Sequence, residues 1–409
     1  MSDESQIIIR FYSINCLIVI RGVMGSIRRL LRLLNVWSKS MELLHNSFRG
    51  TGITPLEGMA DKHVSVDAAK VMDLLQHCPA AKQTELHDHH ELASELGIDR
   101  LYIKDERARM GLGSFKSTGA AYVIALAASK AIENSPFTLE TATPEQLKTL
   151  LPNETYICST AGNHGLSIAA GARVFGAKAV IYLSSSVPET FAERLTGYGA
   201  DVVRHGESYE DSFYGALARA EKEGWTMLSD TSWPGYTEIP TQIMEGYLIV
   251  SSEIVKQLAD QPTPTHIFLQ AGVGGVAASA TAYFRDQWGD EPMIVIVEPE
   301  AAPALIDSIK VGKPIEAKGP VSSMGRLDCK EPSHVALGCL SREADWFITL
   351  SDEQVESTTD WLTAAGIAST PSATAGLAVV QQSQVGDEVR TQLGLSENSC
   401  VLVIITERA

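Results

Sequence analysis

The sequence predicts an α/β protein with two lobes, each a parallel-rich sheet covered on both faces by helices. Three observations carry this. From about residue 98, short apolar runs alternate with longer helical patterns, the arrangement that parallel sheets require. The runs are four to seven residues long and β-branched or apolar throughout, as strands buried on both faces are. Several of them end directly in glycine-rich or small polar segments, and in open α/β sheets ligands bind at those carboxyl ends. The chain has 409 residues, enough for two core-bearing lobes.

The strand candidates are Arg100–Lys104, Thr155–Ser159, Ala179–Leu183, Asp201–Arg204, Trp225–Ser229, His266–Gln270, Met293–Glu298 and Cys400–Thr406. Between them the pattern predicts helices over Gly119–Ile132, Gly165–Phe175, Val187–Tyr198, Tyr209–Glu223, Ile239–Leu258 and Asp352–Ala365. Pro262–Pro264 and Lys313–Pro320 read as loops.

Composition narrows the function classes. Hydrophobic residues make up 44% and charged residues 20%, and 33 basic against 50 acidic residues give a formal charge of −17. Such acidity repels phosphate backbones and argues against nucleic acid as a partner. The charge is uneven. Arg10, Arg21, Arg28, Arg29, Arg32 and Lys39 face only Asp3 and Glu4 in residues 1–40, a net +4 that leaves −21 for residues 41–409. This basic head reads as a disordered or non-native extension, with an organelle transit peptide or a membrane-surface helix as alternatives. Its apolar run Ile7–Ile20 is short for a membrane span of ~20 residues. The six cysteines (Cys16, Cys78, Cys158, Cys329, Cys339 and Cys400) form no CxxC pair, which fits free thiols in a reducing, cytoplasmic setting.

Five segments could carry chemistry. Lys116, in Gly113-Ser114-Phe115-Lys116-Ser117-Thr118-Gly119, opens a helix and could form a Schiff base if desolvated; a solvated surface lysine is the plain alternative. Ser159-Thr160-Ala161-Gly162-Asn163-His164-Gly165 joins a strand to a helix, either as an anion site or as an ordinary capped turn. Gln270-Ala271-Gly272-Val273-Gly274-Gly275 is a phosphate cradle by composition or a tight turn, and is neither GxGxxG nor a Walker loop. Asp230 ends a strand beside aromatics, as a base or as a turn cap. Thr406 closes the terminal strand, where its hydroxyl could meet a ring nitrogen. His87-Asp88-His89-His90-Glu91 lacks HExxH spacing, so no metal is expected.

The order of these segments resembles pyridoxal-phosphate (PLP) enzymes of fold type II, the tryptophan-synthase-β-like group. Lys104-Asp105-Glu106, Met244-Glu245-Gly246-Tyr247, Met324-Gly325-Arg326-Leu327-Asp328-Cys329-Lys330-Glu331-Pro332 and the run Asp230 to Pro240 (Asp-Thr-x-x-x-Gly-Tyr-x-x-Ile-Pro) resemble the diaminopropionate ammonia-lyase family. The resemblance extends from about Asn46 to Thr406. It implies PLP on Lys116 between two lobes, a large domain over 41–117 and 236–409, and a small one over 118–235. It implies that Asn163 contacts the cofactor's 3′-oxygen, that Gly272, Val273, Gly274 and Gly275 cradle its phosphate, and that Thr406 faces its ring nitrogen. Ser159, Thr160, Gly162 and His164 would hold the substrate carboxylate, with Lys116 and Asp230 catalytic. The implied reaction is β-elimination from a 2-amino acid, most simply 2,3-diaminopropionate, by a homodimer. A serine/threonine-type dehydratase and a non-catalytic PLP-binding homologue are the alternatives. Two departures from the family pattern stand out: Ala161 occupies the position of a family Asp, and the chain stops soon after Thr406-Glu407, where family members continue.

Overall fold

The structure is a computed structural model that describes residues 8–10, 17–19, 41–59, 63–78, 80–133, 135–160, 162–383 and 387–409. The readings placed on residues 1–40 and on Ala161 therefore lie almost wholly outside the described residues. Two compact units are present, Met1–Ser40 and Met41–Ala409. In the first, strands β1 (Ile8–Arg10) and β2 (Leu17–Val19) pair antiparallel.

The second unit is built on two sheets. The larger runs β3 (Leu43–His45), β12 (Trp346–Leu350), β11 (Met293–Pro299), β10 (His266–Gln270), β13 (Cys400–Ile405), β5 (Arg100–Asp105) and β4 (Leu86–Asp88). The two edge strands are antiparallel to their neighbours and the five between them are parallel. The smaller sheet is all parallel, in the order β8 (Asp201–Arg204), β7 (Lys178–Leu183), β6 (Thr155–Ser159), β9 (Thr226–Met227). β6, β10 and β13 are buried along their whole length, which explains their unbroken apolar sequences.

All eight predicted strands are present, three with the predicted ends and five with ends shifted by one or two residues; Trp225–Ser229 shortens to β9. The expectation did not include β3, β4 or β12. Two helices begin at reciprocal capping boxes, Ser208 with Asp211 and Ser351 with Gln354.

Two helices position the site. Lys116–Ile132 and Glu238–Gln257 cross at paired glycines. A Cβ on Gly246 would stand 2.7 Å from the Thr118 carbonyl, and one on Gly119 would stand 2.5 Å from the Tyr247 ring. Only glycine permits this approach, which presses the start of the Lys116 helix onto the core.

Beneath that start lies a buried ionic cluster. Lys104 Nζ donates to Glu253 at 2.7 Å, and Arg109 donates to both Glu106 and Glu253 at 2.7–2.8 Å. Thr84 and Gln257 complete it. Two cations meet two carboxylates with all charges paired, the condition under which buried ions are tolerated. The cluster holds the turn Glu106–Gly111 that leads into Lys116.

Candidate active site

Lys116 is the first residue of its helix, and its Nζ forms an ion pair with the Asp230 carboxylate. The two side chains are 22% and 19% exposed. Burial is the largest influence on the Lys116 ammonium and pushes its pKa down, but the opposing influences, led by the Asp230 charge, together hold it above its ordinary range. Burial likewise pushes Asp230 up, while the Lys116 charge draws it well below the usual carboxylate range. Burial disfavours the charged amine and the carboxylate favours it, a partner 114 residues away that sequence spacing does not reveal.

Asp230 owes its position to the turn that follows it. Tyr236 and Trp233 exchange backbone hydrogen bonds and stack at 4.3 Å, and the Tyr236 hydroxyl donates to the Met227 carbonyl at 2.6 Å. Gly235 sits at φ +89°, the left-handed region that favours glycine. Ser232 then latches onto Ser333 and Val335. Val273 accepts from the Ser333 N–H at 2.9 Å, so Asp230 and the glycine turn are fastened to one segment.

That turn, Gly272 to Gly275, joins β10 to the helix Gly275–Trp288. A Cβ on Gly272 would lie 3.0 Å from Cys329 Sγ and 3.1–3.2 Å from the backbone of Leu327 and Arg326. Gly274 has φ +97°, and no side chain caps the helix start. The first N–H groups of this helix are thus left for a ligand anion. A turn that is tight at Gly272 and left-handed at Gly274, with uncapped donors, suits a phosphate group.

Asn163 begins the helix Asn163–Phe175, and its Nδ2 donates to Glu407. An ionised carboxylate only accepts, so this bond fixes which way the amide faces. Glu407 is 4% exposed; it also accepts from Thr370 Oγ1 at 2.6 Å and faces Arg326 Nε at 3.6 Å. Thr406 is buried, and its carbonyl accepts from the Phe115 N–H at 3.1 Å, tying the end of β13 to the Lys116 turn. Lys116, Asn163, Asp230, Thr406 and the glycine turn are therefore joined through shared segments.

In the loop after β6, His164 Nε2 donates to the Leu228 carbonyl at 2.8 Å, leaving Nδ1 buried without a hydrogen-bond partner. Burial lowers its pKa, so the ring is neutral and Nδ1 is an acceptor. Ser159 Oγ lies 2.7 Å from Ser212 Oγ, and Ser212 donates to Tyr209 O. The Ser159 proton is thereby committed to Ser212. Thr160 Oγ1 accepts from the Gly162 N–H at 3.1 Å.

The sequence reading missed Glu407, Tyr247 and Cys329. The Tyr247 hydroxyl is buried without a partner and its ring meets Phe115 edge-on at 5.0 Å. Burial raises the Cys329 thiol to about 11. The histidine cluster is split by the end of β4; His87 faces Glu85 and His90 faces Asp88. Among the described residues no group of three His, Cys, Asp or Glu side chains is placed to hold a metal, and no helix is long and apolar enough to cross a membrane.

Residues 78–407 match the family described as pyridoxal-phosphate dependent enzyme. A diaminopropionate ammonia-lyase from Salmonella typhimurium is 34% identical over 278 residues, 66% of this chain and 69% of that one. The chain belongs to the diaminopropionate ammonia-lyase family of PLP-dependent enzymes. Two solved family members extend the likeness to three dimensions. Diaminopropionate ammonia lyase from Escherichia coli in complex with D-serine has a TM-score of 0.81 at 29% identity, over 91% of this chain and 95% of that one. The same enzyme with an aminoacrylate-PLP azomethine reaction intermediate has a TM-score of 0.79 at 28% identity, over 91% and 94%. The fold is fold type II, and the family's cofactor is PLP, which the glycine cradle and the orphan acceptor on His164 fit.

Proposed function

We propose that the protein eliminates the β-amino group of 2,3-diaminopropionate. The Cα–H bond breaks, the Cβ–N bond breaks with its electron pair leaving on ammonia, and the released enamine takes up water to give pyruvate and a second ammonia. The observation that carries this is the Lys116–Asp230 ion pair beside a phosphate cradle.

When bound, PLP supplies an electron sink for charge developing at Cα. In this reading Lys116 carries it, Asn163 meets its 3′-oxygen, Gly272, Val273, Gly274 and Gly275 hold its phosphate, and Thr406 faces its ring nitrogen with a neutral hydroxyl. Lys116, a neutral amine once the substrate has displaced it from the cofactor, would take the proton from Cα. Asp230, kept ionised, would hold the β-ammonium, which already carries the protons with which it leaves as ammonia. Thr160, Gly162 and His164 orient the substrate carboxylate; Ser159 acts through Ser212.

Ala161 favours a second reading, a dehydratase for serine or threonine. Comparing kcat/KM for diaminopropionate, serine and threonine decides between them. With alanine at 161 we expect keto-acid release from the L enantiomer only; equal rates on D- and L-diaminopropionate would refute that expectation. The same reading includes a small lobe over residues 118–235, a homodimer, and a cytoplasmic location, the last supported by five free described cysteines. Light scattering on the purified protein tests the dimer.

A further inference from the structure

The glycine turn offers an anion backbone alone, since Gly272, Val273, Gly274 and Gly275 carry no side-chain donor. Several polar side chains around it are committed elsewhere. Gln270 Nε2 donates to the carbonyls of Ala373 and Ile404 at 2.9 and 2.8 Å. Ser279 donates to the Met244 carbonyl at 2.8 Å, and Ser232 pairs with Ser333 at 2.7 Å. Tyr247 is not committed. It is 2% exposed, and its hydroxyl has no hydrogen-bond partner among the described residues. Tyr122, on the facing Lys116 helix, shows the ordinary case: its hydroxyl donates to Glu245 at 2.7 Å. Buried polar groups are nearly always paired, and one left unpaired costs the folded chain its desolvation.

The ring's contacts place that hydroxyl. Cζ carries it, and Cε1 and Cε2 flank it. Cε1 and Cζ lie 2.5 and 2.9 Å from where a Cβ on Gly119 would stand, and Cε2 lies 3.7 Å from where a Cβ on Gly275 would stand. Gly119 is in the first turn of the Lys116 helix, and Gly275 opens the helix whose first N–H groups have no side-chain cap. The Asp230 carbonyl stands 3.9 Å from the same Gly275 position. The hydroxyl end of the ring is therefore wedged between the Lys116 helix and the uncapped turn. Phe115, edge-on at 5.0 Å, holds it there. Burial is the largest influence on the phenol and pushes its pKa up, and the charges of Lys116 and Asp230 both act on it. At neutral pH the group is an O–H donor. Such a donor beside free backbone N–H groups complements an anion, whose oxygens only accept.

We propose that Tyr247 is a phosphate-binding residue, its hydroxyl completing the glycine turn by donating to an oxygen of the cofactor's phosphate. This rests on the PLP reading of the site. Inorganic phosphate has the same chemistry, and the test separates the two sources.

The experiment compares the full chain with Tyr247→Phe, which removes one oxygen and keeps the ring against Gly119 and Phe115. Both proteins are taken with PLP and after its removal. Thermal midpoints are measured in each state, and PLP, pyridoxal and inorganic phosphate are titrated by equilibrium dialysis. Without cofactor, the variant's midpoint should equal or exceed that of wild type, because the unpaired hydroxyl is gone. The PLP Kd should rise tenfold or more, and the gain in midpoint on adding PLP should shrink accordingly. Binding of pyridoxal, which lacks the phosphate, should change less than twofold. The phosphorus NMR resonance of bound PLP should differ between the two proteins. A PLP Kd within twofold of wild type would overturn the proposal. So would equal losses for PLP and pyridoxal, which put the effect elsewhere on the cofactor. A lower cofactor-free midpoint with an unmoved phosphorus resonance would make the hydroxyl structural and also overturn it. Weaker inorganic phosphate with PLP unchanged would assign the hydroxyl to a free anion instead. If wild type takes up no PLP, the PLP reading itself fails; if wild type takes it up and the variant matches it, only this inference fails.

Discussion

Replacing Asp230 by Asn tests the centre of the site. The change keeps the side chain's shape and removes the carboxylate that ion-pairs with Lys116. Both groups are about four-fifths shielded, so an effective dielectric near 20 is appropriate, and unit charges about 4 Å apart then attract by ~4 kcal/mol. At 1.4 kcal/mol per factor of ten, the Lys116 protonation equilibrium moves roughly a thousandfold toward the free amine. Burial, the largest influence on Lys116, acts in the same direction once Asp230 is neutral. Covalent attachment of PLP needs the free amine, so its pH dependence, read by absorbance in stopped flow, should move to lower pH in Asp230→Asn. Turnover should move the other way, falling ~10²–10⁴-fold through loss of the carboxylate that holds the leaving group. Cofactor colour retained without turnover is the expected signature. An unshifted attachment profile with kcat within threefold of wild type would refute the reasoning.

Three further outcomes follow from other parts of the molecule. Gly272→Ala places a Cβ 3.0–3.2 Å from Cys329 and the backbone of Leu327 and Arg326; PLP affinity, by equilibrium dialysis, should fall at least tenfold with the fold intact by circular dichroism. Glu253→Gln leaves Lys104 and Arg109 short of one buried charge and should cost ~3–5 kcal/mol in urea denaturation. Burial pushes Glu253 up, but Arg109 and Lys104 draw its pKa below the ordinary value; its stabilisation is therefore full above the unfolded value of about 4.3 and is lost as pH falls below it, and Glu253→Gln should flatten that acid limb. Glu407→Gln offers Asn163 a neutral partner in place of a charge-assisted one worth ~1.5–3 kcal/mol; kcat should fall about tenfold or more with a shifted cofactor absorbance, and an unchanged spectrum would exclude a positioning role.

The parts of the fold legible in sequence were those set by local pattern. β6, β10 and β13 are apolar because both faces are covered, and that signal survives without knowledge of neighbours. β3 and β4 have three residues each and exist through antiparallel pairing with β12 and β5, a long-range cause that leaves little trace in the residues. Within the site, Lys116, Asn163, Asp230 and the glycine turn announce themselves because their settings need unusual residues in a fixed order. Glu407 does not: an acidic residue after a strand is ordinary, and only burial beside Asn163 distinguishes it. The ionic cluster is similar, since Lys104 and Glu253 stand 149 positions apart and nothing in either neighbourhood signals the other.

The place of β13 has a consequence for how the protein matures. It is the last strand in chain order, yet it lies in the middle of the larger sheet between β10 and β5. During synthesis the sheet has a gap at its centre until residues 400–405 have been made. The same few residues deliver Thr406 and Glu407 to the site. A nascent chain that already carries Lys116, Asp230 and the glycine turn therefore still lacks the strand that separates β10 from β5 and the two residues that follow it.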